Sequence, residues 1–529
     1  MSARVAAAWA LLPGYLAWHV VLSLSALALG VAISLPLAVA ASRSIRLRWP
    51  VLAFASLIQT IPSLALLALF YPLLLALSAL TRATVGVSFP ALGFLPSLLA
   101  LTLYSMLPIL RNGVAGVLGV DPAIREAADG VGMTPRQKLL QVELPLAAPV
   151  IMAGVRTAAV WTIGAATLST PVGQTSLGNY IFAGLQTENW VFVLFGCVAS
   201  AALALIADQL LGLLEVSARR RSRPLALGAV IALLAGAALA ITPLLSFGRP
   251  ASYVIGAKNF SEQYILAELM ADRLEARGAR VTRKEDLGSA VAYRALAAGE
   301  IDAYVDYSGT LWTNVLQRTD NPGRAAVLRE LTAELRRRDG VVVLGSLGFE
   351  NAYAFAMRPD RAGALHIASI SDLAREAPRL TLGSDLEFLS RPEWKAVKTA
   401  YGLAFSAERS YQPTFMYRAL TDGEVDVISA FSSDGRIAAQ HLVVLADPKG
   451  AIPPYDAVVL ISPKRAGDAR LRAALQPLIG KISVEAMRSA NYSVDRDRAK
   501  ATPAEAARAL DAAIRAAATS PRPVPRPRR

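Results

Sequence analysis

The sequence predicts an α-helical membrane half fused to an α/β, two-lobed domain that stands outside the membrane. Three observations carry this reading. The 529 residues are 54% hydrophobic with a mean hydropathy of +0.42, too apolar for a soluble chain of this length. The apolar character is lopsided: residues 1–247 are mostly long uncharged runs, whereas 252–518 have the charge density and mixed patterning of a water-soluble domain. Within that second half, short β-branched runs alternate with helix-period segments, as strands and helices do when they share one sheet.

Six candidate spans, each near the ~20 apolar residues that a bilayer requires, lie at roughly 15–41, 51–79, 91–110, 147–170, 191–216 and 224–247. The first is too long for a cleaved secretory signal and lacks a bracketing basic start and small-residue cleavage site. Arg43, Arg46 and Arg48 follow the first span, Arg111 follows the third, and Arg219, Arg220, Arg221 and Arg223 separate the fifth from the sixth. With alternating spans these junctions share one side, which the positive-inside rule makes cytoplasmic. The amino terminus and everything after Phe247 are then outside. The domains expected are a membrane domain at 1–217, a basic junction with one further membrane helix at 218–251, an outer domain at 252–518 and a tail at 519–529. Much of the +14 net charge sits in the cytoplasmic junctions and the tail, so it points to no nucleic-acid partner. The tail has little apolar surface to bury and is expected to be disordered. The lone Cys197 excludes an intrachain disulfide.

Between the third and fourth spans the chain reads Glu126-Ala127-Ala128, then Gly132, then Val142-Glu-Leu144-Pro145. Asp121-Pro122 opens a short amphipathic helix, the Asp capping it and the Pro occupying its first turn. Gly132 breaks that helix and permits a sharp turn. A second stretch runs to Pro145, which is expected to stop it before the chain re-enters the membrane. An ordinary surface helix followed by a turn accounts for each element alone, but less readily for all of them at these intervals. Two charges lie inside the spans, where they are costly. Arg156 is about nine residues into the fourth span and Asp208 about eight from the cytoplasmic end of the fifth, which at ~1.5 Å per residue puts both ~12–13 Å deep. They form a pair at matched depth, or each snorkels separately to the interface.

The outer domain opens with a strand from Ser252 into Gly256 and a helix from Ser261, whose free N–H groups are placed to face a ligand. Strands are expected near 280–283, 301–305, 341–344, 352–357, 380–383, 425–430, 441–445 and 457–462. Helices are expected at 290–298, 324–338, 371–376, 391–401, 415–422, 468–478, 481–490 and 503–517. This alternation argues for mainly parallel sheets, and the length for two lobes with a ligand between them.

At this point the chain resembles the quaternary-amine uptake family of ATP-binding-cassette (ABC) importers, which carry glycine betaine, choline, carnitine and related osmoprotectants. It is most similar to the subgroup in which permease and substrate-binding protein are fused. The permease half carries Gln59-Thr-Ile-Pro-Ser-Leu-Ala-Leu-Leu67, Leu107-Pro-Ile-Leu-Arg-Asn112, Val142-Glu-Leu-Pro-Leu-Ala147 and Ala153-Gly-Val-Arg-Thr-Ala158. The binding half carries Gly256-Ala-Lys-Asn-Phe-Ser-Glu-Gln263, Asp306-Tyr-Ser-Gly-Thr310, Asn351-Ala-Tyr353, Asp434-Gly-Arg436 and Pro453-Pro-Tyr-Asp456. The resemblance spans roughly residues 15–515. It implies a type I importer permease of about six helices joined to a periplasmic-binding-protein domain. The expected location is the bacterial inner membrane, with the binding domain outside.

The resemblance also implies an aromatic box. A quaternary nitrogen donates no hydrogen bond, so ring faces must select it, at ~0.5–2 kcal/mol each. Matching the family's motifs places Tyr307, Tyr353 and Tyr455 on the box, with Phe431 standing where the family often has Tyr and Tyr417 as a weaker member. Thr310, Asn259, Ser261 and Asp434 are candidates for the ligand's polar end. Glu126, Ala127, Ala128, Gly132, Leu144 and Pro145 are expected to couple to the ATPase. The chain has no phosphate-cradling G-x-x-x-x-G-K-[ST], so ATP belongs on a separate subunit, expected in two copies beside a second copy of this chain. No cofactor, metal or catalytic constellation is expected, and the chain is not read as an enzyme. The ligand class leaves ergothioneine open beside betaine and choline. A ligand-sensing membrane receptor that does not transport is the rival from another class.

Overall fold

The computed structural model describes residues 3–86, 89–187, 189–246, 253–318, 320–496 and 499–519. The chain forms two compact units, residues 1–182 with 190–250, and residues 251–529 with 183–189. The tail expected to be disordered lies, from residue 520 on, outside the described residues.

Among the described residues of the first unit, six helical segments are long and apolar enough to cross a membrane: Arg4–Arg43, Ser63–Val85, Phe94–Leu118, Pro135–Val172, Trp190–Arg220 and Arg223–Leu244. Lipid offers no hydrophobic drive between helices, so they meet through small residues. Helix Ala3–Arg43 packs on Phe94–Leu118, where a Cβ on Gly113 would meet the Ala38 methyl, and Phe94–Leu118 packs on Leu144–Ala166, where Gly116 faces Ala147. Ile109, Val117, Ala147, Ile151, Val155 and Ala158 form the core between them. A buried histidine went unread in the sequence. The His19 ring donates from Nε2 to the Ile163 carbonyl (3.0 Å) and accepts at Nδ1 from the Leu177 N–H (3.3 Å), which fixes its tautomer.

Two expectations about this unit need correction. The span expected at 51–79 is two helices, Ile45–Thr60 and Ser63–Val85. Ile61 between them is extended (φ −74°, ψ 126°), as the residue before Pro62 is pushed to be. Nor does Pro145 stop a helix. It sits in the first turn of Leu144–Ala166, where its missing N–H is harmless, and the helix enters that turn through a five-residue π-turn, Leu139–Glu143.

Among its described residues the second unit holds ten strands: β1 Tyr253–Lys258, β2 Val281–Leu287, β3 Ala303–Tyr307, β4 Val342–Glu350, β5 Tyr353–Met357, β6 Thr381–Asp385, β7 Ala407–Tyr411, β8 Val427–Phe431, β9 Val443–Val444 and β10 Asp456–Ile461. They form two five-stranded sheets, ordered β2-β1-β3-β10-β4 and β7-β6-β8-β5-β9. The chain crosses between them at Asn351–Ala352 and returns over 445–455. The sheets are mixed, not mainly parallel. β1 pairs parallel with β2 and β3, but β10 runs antiparallel to β3 and β4, and β5 antiparallel to β8 and β9. A strand that re-enters a lobe from the crossing must start at the edge where β3 ends, so it runs the opposite way. β7 was not expected at all: Ala-Glu-Arg-Ser-Tyr is a polar edge strand with no apolar alternation.

Candidate functional site

The strand directions bring aromatic rings together between the two sheets. Tyr307 ends β3 and Tyr455 immediately precedes β10, whose Ala457 pairs with Tyr307. In the second sheet Tyr353 begins β5 and Phe431 ends β8, and these two are register partners. Both pairs face a cleft of about 640 Å³, in the range of small-molecule sites. Phe260, from the turn before helix Ser261–Glu275, joins them. Its ring lies 6.2 Å from Tyr307 and 6.5 Å from Phe431, nearly parallel to the latter (6°). Tyr353 closes the arc, 5.1 Å from Phe431 and 5.8 Å from Tyr455, edge-on to the latter. Gly309 makes room for Tyr455, since a Cβ there would lie 2.5 Å from its ring. Ser308 fixes the same segment, donating to the Pro454 carbonyl (2.8 Å) and accepting from the Asp456 N–H (2.9 Å).

Behind the rings the hydroxyls of Tyr307 and Tyr455 are tied to buried carboxylates. Tyr307 donates to Glu262 Oε1 (2.6 Å) and accepts from Gln263 Nε2 (3.0 Å). Asn351 and Asn491 also donate to Glu262, at 3.2 and 2.8 Å. Burial raises the Glu262 carboxyl above the usual range, opposed by hydrogen bonds from Ser433, Tyr307, Asn491 and Asn351. A carboxylate held by neutral donors at a ring-lined cleft favours a cation there. Tyr455 donates to Glu393, which also accepts from Thr313 (2.8 Å) and pairs with Arg391 (3.2 Å). Burial first, then Glu262, drives the Tyr307 hydroxyl well above its usual pKa, and burial does the same to Tyr455.

The protein's own cations are already engaged. Lys258, paired with buried Asp306, lies 5.2 Å from the Tyr307 ring centroid. Arg391 lies 5.3 Å from the centroid of Tyr353 and donates to Thr310 (3.4 Å). Arg436 is bidentate to Asp434 and 3.7 Å from Asp495.

Of the residues the sequence singled out, Tyr307, Tyr353, Tyr455, Phe431, Thr310, Asn259, Ser261 and Asp434 all line this cleft. Three of the polar candidates are occupied: Ser261 donates to Asp495, Asp434 holds Arg436 and Thr310 accepts from Arg391. Tyr417 is not a lining residue. It is buried in the second lobe's core beneath Arg436 (4.2 Å), and its hydroxyl accepts from the Phe431 N–H (3.3 Å). Its helix-period spacing was that of a core ring. Sequence reasoning missed Phe260, Glu262, Asn351, Arg391, Glu393 and Asn491. The first three lay inside quoted motifs, but nothing in their spacing assigned them roles.

In the membrane unit, Asp121 caps helix Pro122–Gly130 by accepting from the Ala123 N–H (2.9 Å), and Gly132 turns the chain at φ +80°. Glu126, Ala127, Gly132 and Pro145 are exposed, Leu144 is half-buried and Ala128 is buried. The loop's two arms are joined by Lys138 and Asp129 (2.6 Å). Arg156 and Asp208 meet in a bidentate pair, 2.5 and 2.6 Å, and Glu215 stands 3.5 Å from the same guanidinium as a third, unforeseen member.

Residues 251–512 match the family described as the substrate binding domain of ABC-type glycine betaine transport system, and 30–220 match binding-protein-dependent transport system inner membrane component. The chain is similar to the ergothioneine transport permease/ergothioneine binding protein EgtU of Helicobacter pylori (strain G27). They are 28% identical over 464 residues, 84% of this chain and 80% of that relative. The choline transport system permease protein OpuBB of Bacillus subtilis (strain 168) is 41% identical over 197 residues, 37% of this chain and 83% of the relative. A crystal structure titled glycine betaine/carnitine/choline ABC transporter is 29% identical, covering 49% of this chain and 96% of its own, with a TM-score of 0.43.

Proposed function

As this chain belongs to the quaternary-amine uptake family of ABC importers, with permease and substrate-binding domain in one inner-membrane polypeptide, we propose that it is the membrane subunit of an ATP-driven importer of trimethylammonium compounds. The observation that carries this is the arc of Tyr307, Phe260, Phe431, Tyr353 and Tyr455 around a cleft with Glu262 behind it. Ring faces and a carboxylate held by neutral donors suit a cation that cannot donate hydrogen bonds. Arg391, engaged by Glu393 and Thr310 yet lining the same cleft, suits a carboxylate that shares its guanidinium at the ligand's other end. That favours zwitterions such as glycine betaine and carnitine over choline. Ligand closes the two lobes, and a separate ATP-binding subunit works on the loop around Gly132. Two such subunits and a second copy of this chain complete the pathway.

Ergothioneine is the second reading. It carries the same trimethylammonium and carboxylate groups, and the similarity to the ergothioneine protein runs through both halves of the chain. Calorimetric titration of the purified full chain with glycine betaine, carnitine, choline and ergothioneine tests both. Binding of one or more, weakened by Phe431→Ala, supports the importer class. Arg391→Gln should weaken the zwitterions more than choline. Binding of none of the four refutes the assignment.

A further inference from the structure

Glu143 is fully buried at the cytoplasmic end of a membrane segment, an expensive place for a carboxylate. It is the last residue of the π-turn Leu139–Glu143, a local widening of the helix that often marks functional positions. Its two oxygens face cations from two different elements. Arg43, the last residue of helix Ala3–Arg43, donates from Nη2 to Oε2, and Arg125 of helix Pro122–Gly130 brings Nε within 3.5 Å of Oε1. Arg125 also donates to the Val117 carbonyl in the last turn of helix Phe94–Leu118. The exposed arms of the loop are braced separately, by Lys138–Asp129 and by the reciprocal caps of Thr134 and Gln137. A loop stiffened at its tip and held at its base by one buried carboxylate moves as a lever. Whatever displaces it must pull on Glu143 and, through Arg43, on the first membrane helix.

We infer that Glu143 is the positioning residue that relays movement of the loop around Gly132 to helix Ala3–Arg43, through Arg125 on one side and Arg43 on the other. The inference rests on the import reading above. A charge triad with one arm hydrogen-bonded, Arg43 to Glu143, and the other an ion pair, Arg125 at 3.5 Å, has the discrete geometry that a coupling element needs, and neutralising its centre weakens both contacts together. Glu143→Gln keeps the volume and removes the charge.

The test uses vesicles holding the full chain with its co-expressed ATP-binding subunit, supplied with radiolabelled glycine betaine, carnitine, choline and ergothioneine. In Glu143→Gln the ATP-binding subunit should stay bound and ligand affinity should be unchanged, while uptake and ligand-stimulated ATP hydrolysis fall about tenfold or more. Glu143→Asp should restore part of that loss. Arg43→Gln, at a half-exposed residue whose loss leaves Arg125 facing Glu143, should uncouple in the same way but less severely. Glu143→Gln vesicles that remain coupled within about twofold of wild type overturn the relay. So does Glu143→Gln shedding the ATP-binding subunit while Arg43→Gln stays fully coupled, because the carboxylate then only shapes the docking loop. A wild type that imports none of the four compounds overturns the import reading and the relay with it. Coupled variants in an importing wild type overturn the relay alone.

Discussion

Replacing Tyr307 separates the ring from its hydroxyl. Tyr307→Ala removes a ring that borders the cleft, with a loss of about 1–3 kcal/mol in ligand binding, roughly 5- to 150-fold. Tyr307→Phe keeps the ring but takes a 2.6 Å donor from Glu262, leaving a buried carboxylate with Ser433 and with Asn351 and Asn491 at 3.2 and 2.8 Å. A hydrogen bond to a charged group is worth about 1.5–3 kcal/mol, and the loss falls on stability. At ~2–4 °C per kcal/mol for a domain of this size, the unfolding temperature of the outer domain should drop by ~3–12 °C. Affinity should fall by less than about threefold, because the ring face remains. Adding Glu262→Gln to Tyr307→Phe should recover part of the stability, since a neutral amide asks less of the missing donor. Calorimetric titration and thermal unfolding of the full chain in detergent measure both quantities. If Tyr307→Phe loses as much affinity as Tyr307→Ala with no change in unfolding temperature, the hydroxyl contacts the ligand directly and the bracing argument is wrong.

Gly132→Val forces a β-branched side chain to φ +80°, although open space surrounds the position. It should abolish uptake and ligand-stimulated ATP hydrolysis and leave ligand affinity intact, and normal coupled hydrolysis would refute that. In the membrane triad, Asp208→Asn leaves Arg156 with Glu215 at 3.5 Å, whereas Arg156→Gln leaves Asp208 without its cation and Glu215 with Arg219 at 2.7 Å. Arg156→Gln should therefore be the more destabilising by about 1–3 kcal/mol, with partial recovery in the double variant. Equal losses that add strictly in thermal unfolding would show that the charges act independently. Burial lifts the Asp286 carboxyl from 3.8 to about 6, against the Tyr264 hydroxyl that donates to it. A raised acid stabilises the fold only while protonated, so this contribution is complete below about 3.8 and is lost as pH rises through about 6, roughly 3 kcal/mol in all. Asp286→Asn resembles the protonated form and tolerates the φ of +63°. It should raise the unfolding temperature at neutral pH and flatten its pH dependence, and an unfolding temperature that falls at neutral pH would refute this.

Much of the architecture could be read from residues whose physical demands are local. The spans show because a bilayer asks for long apolar runs, and the arginines beside them show because charge at the interface has a sign preference. The features that were misread are those in which one residue type serves two opposite roles. Pro145 ends a helix in one context and opens one in another, and only the π-turn before it decides which. Pro62 carried a usable signal, since it disfavours a helical Ile61, but the unbroken apolar run on both sides hid it. β7 was invisible because an edge strand needs no apolar face, and its pairing with β6 comes from tertiary contact.

The candidate site divides along the same line. Rings in a binding loop are conspicuous in a sequence, and four of the five in the arc were named from their motifs. Their braces were not, because Glu262, Glu393 and Arg391 read as ordinary surface charges at helix starts, and only the packing of the two lobes buries them. Yet the braces are what make the rings selective. A ring free to swing loses rotamer entropy when it closes on a ligand, about 0.5–1.5 kcal/mol for each immobilised side chain. A ring whose hydroxyl is already tied to a buried carboxylate has met that loss on folding. Tyr307 and Tyr455 are tied in this way, to Glu262 and Glu393, whereas Phe431 has no hydroxyl to tie and is held by Tyr353 and Phe260 packing against its faces. Exchange of the aromatic at 431 should therefore be better tolerated in the folded domain than loss of either carboxylate. Variation in ligand preference is then easiest at Phe431 and Phe260, the rings that carry no hydroxyl to anchor.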